Sequence, residues 1–139
     1  MTALETPRKK VQVWVRAGAE YLLLKTNPKR GAFWQPVTGS VEAGETVEAA
    51  ALRELVEETG LSPHVELSSV LSPFEFESNG KLFREYAFLA KVDPSSREKV
   101  RVDPKEHTEF QWVSLEQALE LVKHESNARI LSEIAHSFE

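Results

Sequence analysis

GSVEAGETVEAAALRELVEETGL, residues Gly39 to Leu61, is the stretch whose reading decides the fold. Glu45 to Thr59 is rich in Ala, Glu and Leu, contains no proline, and stops at Gly60, as a helix with a glycine C-terminus should. At about 100° per residue, Glu54, Glu57 and Glu58 fall within roughly a third of a turn of one another. Val47, Ala51, Leu52 and Leu55 form the apolar stripe beside them. Three carboxylates this close repel one another unless a cation stands between them. A solvated acidic face is the simpler reading of any Glu-rich helix, but two features weigh for a bound cation. The cluster sits in the C-terminal half of the helix, where the macrodipole disfavours negative charge. Gly39 and Gly44 precede it, in a turn that brings backbone close to whatever the glutamates hold. Hard divalent cations such as Mg²⁺ take oxygen ligands of this kind and keep water or phosphate oxygens as well.

Outward from this helix, short strand and turn signals alternate. Lys10 to Arg16 has the period-2 pattern of a half-buried strand, and Tyr21 to Thr26 is its hairpin partner. A cation-bearing loop, Asn27 to Gly31, leads into Phe33 to Thr38. Beyond the helix, Val65–Leu71, Phe74–Glu77, Leu82–Val92 and Glu109–Val113 read as strands. Ser114 and Gln117 form a capping box for a helix through Leu121, and a last helix opens at Ser126 or Asn127 and runs toward Phe138. The pattern predicts an α+β fold layered around one mixed sheet.

The chain has 139 residues, 41% hydrophobic and 28% charged, a size and composition that predict a single domain over residues 1–139. No run approaches the roughly 18 apolar residues needed to span a bilayer. Met1 to Lys10 has no apolar leader core, so the expected location is the cytoplasm. The absence of cysteine excludes disulfides, thiolate metal sites and a cysteine nucleophile. A net charge of −5 speaks against a stable nucleic-acid partner, but not against a small phosphate-bearing substrate held by a few local cations.

Gly39, Glu45 and the run Arg53-Glu54-Leu55-Val56-Glu57-Glu58-Thr59-Gly60-Leu61 together resemble a complete Nudix box. The resemblance implies an α/β/α sandwich with a mixed sheet. It implies hydrolysis of a nucleoside diphosphate linked to another group, with Mg²⁺ as cofactor and Mn²⁺ as a substitute. Glu57 and Glu58 match metal-binding glutamates, and Glu54 matches the one that ligates metal or orients the attacking water. Arg53 matches the arginine that holds those carboxylates, and Glu45 its acidic partner. Gly39, Glu45 and Gly60 are structural positions of the box. Thr38 stands where the family often supplies a ligating carbonyl. A carboxylate from outside the box is expected too, with Glu106 preferred to Glu109 because Phe110 and Trp112 mark a core strand there. His107 reads as a surface neighbour of Glu106, and His64, His124 and His136 as inert.

Phe33-Trp34-Gln35-Pro36-Val37-Thr38-Gly39-Ser40-Val41 resembles the box entry of the bacterial dihydroneopterin triphosphate pyrophosphatases, which also act on dATP. Pro36 departs from that pattern, and Leu71 to Arg84 carries no assignable one. The implied substrate is dihydroneopterin triphosphate or a purine deoxynucleoside triphosphate. Lys25, Lys29 and Arg30 are candidate phosphate partners, Lys25 being the best placed. Trp34 is a candidate stacking wall against the reading of a core aromatic. Asn127, beside Ser126, is a candidate base contact against that of a helix cap. Alternatives are an oxidised nucleotide, a dinucleoside polyphosphate or a nucleotide sugar as substrate, a triphosphorylated RNA end, or a binding module without turnover. The oligomeric state is left open.

Overall fold

The computed structural model describes residues 6–138; residues 1–5 and 139 of the expected domain, and half of the leader reading, lie outside them. Seven strands form one sheet: β1 (Arg8–Ala17), β2 (Glu20–Thr26), β3 (Trp34–Gln35), β4 (Val37–Ser40), β5 (Glu66–Ser78), β6 (Lys81–Val92) and β7 (His107–Val113). Its main path runs β3-β2-β1-β6-β5, with β4 joined to β1 and β7 to β2. β1 and β6 are parallel and the other pairings antiparallel, so the sheet is mixed. The β1–β2 pairing covers only Arg16↔Tyr21 and Ala17↔Glu20 before β4 takes over that edge of β1.

Helix α1 (Val47–Thr59) covers one face and α2 (Leu115–Leu121) with α3 (Glu125–Phe138) the other. Ala50, Ala51 and Leu55 of α1 pack on Val11, Val13 and Val15. Ile130, Leu131 and Ile134 of α3 pack on Trp14, Leu23 and Leu89. This is the α/β/α sandwich. The half-buried reading of β1 is therefore corrected. As a central strand covered on both faces it buries Gln12 and Trp14 as fully as its valines.

Other boundaries shift for local reasons. α1 starts after Thr46, whose hydroxyl accepts from Ala49 N at 3.1 Å, so Glu45 lies outside the helix. Val65–Leu71 and Phe74–Glu77 belong to one strand, interrupted by a register shift between Val70 and Phe74. α3 begins one residue before Ser126, and its first-turn amides on Asn127 and Ala128 donate to the His124 carbonyl. Asn127 is thus not a cap; its side chain turns inward and is buried. Among the described residues no helix is long and apolar enough to cross a membrane.

Candidate active site

The turn from β4 into α1 seats acidic side chains against bare backbone. A Cβ added to Gly39 would lie 1.3 Å from Glu54 Oε2, so any side chain there would push the Glu54 carboxyl from its seat. One residue earlier, Thr38 N donates to Glu58 Oε1 at 3.4 Å. Arg53 fastens the arrangement. Its Nε and Nη2 fork onto Glu45 at 2.8 and 3.0 Å, and Nη2 also donates to the Ser40 carbonyl at 2.8 Å. Nη1 reaches Glu54 and Glu57 at 3.2 Å each. The Glu45 bond is the main reason the Arg53 pKa rises, and it holds the Glu45 carboxyl below the usual carboxylate range.

Glu54, Glu57 and Glu58 face a cavity of about 370 Å³ that also takes in Glu106, Arg30 and Lys10. Burial first, and Glu57 second, push the Glu54 pKa up to about 7. Burial, then Glu54 and Glu106, push that of Glu58 up to about 9. Glu106 ion-pairs with Arg30 at 3.7 Å. Glu109 points elsewhere, pairing with Lys25 at 3.5 Å. Five glutamates line this cavity against three cations, the fifth being Glu42 and the third Arg53. Among the described residues, no three acidic or histidine side chains yet stand close enough to hold a metal ion by themselves.

Several expectations are corrected here. His107 is no surface neighbour but is buried in the cavity wall, 3.2 Å from Gln35 Nε2 and 4.0 Å from Glu58 Oε1. Burial, then Arg30, lower its pKa to about 4, which leaves it neutral at pH 7. Lys25 and Lys29 do not line the cavity; Lys25 instead lies 5.8 Å from the Trp34 ring centre. Lys10, which the sequence reading passed over, takes their place. Trp34 packs half-buried against the α2–α3 face of the core and lines neither this cavity nor its neighbour.

That neighbouring cavity, of about 510 Å³, shares Lys10, Arg30, Gln35 and Thr38 with the acidic one. Its walls include Phe74, Phe76, Ser126, Asn127 and Glu85. His124, read as inert, also lines it, edge-on to Phe33 at 5.2 Å between ring centres. A glutamate at the start of the apolar run Tyr86-Ala87-Phe88-Leu89-Ala90 was the available signal for Glu85. The two spaces together offer room for a flat ring beside a cluster of carboxylates and cations.

Comparison with known proteins agrees with this geometry. A family model described as NUDIX domain matches residues 6–134. An octanoyltransferase of Myxococcus xanthus is 41% identical over 111 residues, 73% of this chain but 28% of that protein's length. Dihydroneopterin triphosphate diphosphatase of Haemophilus influenzae is 33% identical over 112 residues, 71% of this chain and 68% of that one. The solved Escherichia coli dihydroneopterin triphosphate pyrophosphohydrolase is 26% identical with a TM-score of 0.77, over 92% of this chain and 96% of that one. With a box that runs from β4 through α1 and a family match over nearly its whole length, the chain belongs to the Nudix hydrolase family, whose members here include enzymes acting on nucleotide phosphoanhydrides.

Proposed function

We propose that the chain is a Mg²⁺-dependent pyrophosphohydrolase of dihydroneopterin triphosphate or a purine deoxynucleoside triphosphate, releasing pyrophosphate. The observation that carries this is the pair of carboxyls, half-buried Glu54 and buried Glu58, set against Gly39 and Thr38 in a cavity with more carboxylates than cations. Such a set of hard oxygen donors, short of positive charge, fits a divalent cation. Glu54, Glu57, Glu58, Glu106 and the Thr38 carbonyl would hold it, with Mn²⁺ as a substitute. When bound, the ion neutralises phosphate charge and makes water a stronger nucleophile.

The chain's own residues do the rest. Arg53 positions Glu54 and Glu57 through its bonds to Glu45 and Ser40, and Glu54 orients the attacking water. Arg30 and Lys10, common to both cavities, bind the phosphates between the carboxylates and the ring space. His107, neutral and buried, supports the wall beside Glu58. The likeness to the dihydroneopterin triphosphate enzymes of Haemophilus influenzae and Escherichia coli supports the choice of substrate.

The test is pyrophosphate release from a panel of triphosphates, with Mg²⁺ and with chelator. Dihydroneopterin triphosphate should give the highest kcat/KM, purine deoxynucleotides less, pyrimidines least, and chelator should abolish all three. Preference for a dinucleoside polyphosphate, a nucleotide sugar or an RNA end would overturn the substrate assignment. No turnover on any compound would leave a binding module.

A further inference from the structure

A run of hydrogen bonds with one fixed direction ends in the ring-sized cavity. The Trp14 indole N–H, which can only donate, bonds Gln12 Oε1 at 2.7 Å. That bond fixes which way the Gln12 amide faces. Its Nε2 must then donate, and it does so to Glu85 Oε2 at 2.5 Å. Asn127 Nδ2 donates to the second lone pair of the same Gln12 oxygen at 3.4 Å. All four side chains are at least nine-tenths buried, and Glu85 and Asn127 also line the cavity. Among the described residues, no hydrogen bond takes up Glu85 Oε1 or Asn127 Oδ1. Both are acceptors, and their orientation is set from behind by groups that cannot turn over.

A ring entering this space therefore meets acceptors and must bring donors. We propose that Glu85 and Asn127 form a subsite for the adjacent ring N–H and exocyclic amine of a 2-amino-4-oxo-pyrimidine edge, which pterins and guanine share and adenine lacks. Adenine would turn its ring-nitrogen lone pair toward the carboxylate, thymine would bring one donor flanked by acceptors, and cytosine an amine beside two acceptors. Phe74 and Phe76 supply apolar faces for the ring, and Lys10 and Arg30 lead from it toward the acidic cavity. Burial raises the Glu85 pKa, while the Gln12 bond and the nearby Lys10 charge work against that rise. Glu85 and Asn127 are binding residues; Gln12 and Trp14 position them. The subsite deepens the hydrolase reading above and rests on it.

Equilibrium titration with nucleoside monophosphates in chelator tests the subsite apart from turnover. Wild-type protein should bind dGMP at least about tenfold more tightly than dAMP, and more tightly than dIMP, which lacks only the 2-amino donor. Neopterin monophosphate should compete with dGMP. Glu85→Gln should bring the dGMP advantage down to less than about threefold while leaving dAMP binding in place. Equal affinities of the wild type for dGMP, dIMP and dAMP would overturn the proposal, and that comparison needs no variant to fold. So would a Glu85→Gln protein that melts earlier yet keeps its dGMP preference, since Glu85 would then be a structural acid alone. An absence of triphosphate hydrolysis beside an intact dGMP preference would remove the proposed function and leave the subsite standing.

Discussion

Glu58 concentrates the tension of the site in one side chain. Its carboxyl is 4% exposed and holds its proton up to about pH 9, with Glu54 titrating near 7. In the unfolded chain both lose their protons near the ordinary carboxylate value, so from pH 7 to 9 the folded state binds more protons than the unfolded one. Stability then falls as pH rises. His107 adds nothing in this window, because its folded pKa of about 4 matters only on the acid side. The melting temperature in chelator should therefore drop between pH 7 and 9, and Mg²⁺ should restore it by binding only the native state. Glu58→Gln should flatten the pH dependence and blunt the Mg²⁺-induced shift. A wild-type melting temperature level across this range would show that these carboxyls are not held protonated by burial.

At the scale of elements, one guanidinium gathers the end of β4, the turn and α1, beside the bond from Thr38 N to Glu58. Arg53 joins Glu45 before the helix, Glu54 and Glu57 within it, and the Ser40 carbonyl on the strand. Lysine keeps the charge but not the fork, so it cannot reach these partners together. Arg53→Lys should lower turnover by between about ten- and a hundredfold with an unchanged pH optimum, as loss of a group that orients ligands does. Turnover within a factor of two of wild type would show that the fork is dispensable. The box was legible because its chemistry is contiguous: one strand end, one turn and one helix hold Gly39, Glu45, Arg53 and the three glutamates. The ring cavity was not, because it depends on strand register. Parallel pairing of β1 with β6 sets Lys10 beside Glu85, 75 positions away, and α3 then brings Asn127 onto Gln12. Burial of β1 on both faces was hidden as well. Gln12 breaks its apolar run and imitates the alternation of a strand with one wet side. Trp34 misled for a related reason: an aromatic beside a motif looks the same whether it faces a ligand or the core.

For the molecule as a whole, the acidic cavity closes only when segments far apart in sequence meet. β4 brings Thr38 and Gly39, α1 the box acids, and the approach to β7 brings Glu106 and His107. Asn27 N donates to the Glu106 carbonyl at 3.0 Å, so the loop carrying Arg30 and the segment carrying Glu106 are fixed to each other. This contrasts Glu106 with Glu109, three residues on. Glu106 reaches the box acids closely enough to raise the Glu58 pKa, whereas Glu109 pairs with Lys25 away from the cavity. Glu106→Gln should therefore reduce the Mg²⁺-induced rise in melting temperature and raise the Mg²⁺ concentration needed for turnover. Glu109→Gln removes an exposed ion pair, a change of about 0.5 kcal/mol or less, and should leave the Mg²⁺ response unaltered. The two substitutions change net charge equally, so any difference between them reports position and not the general field of an acidic protein. The reverse ranking would place the outside ligand on the β2–β7 edge and detach Glu106 from the metal site.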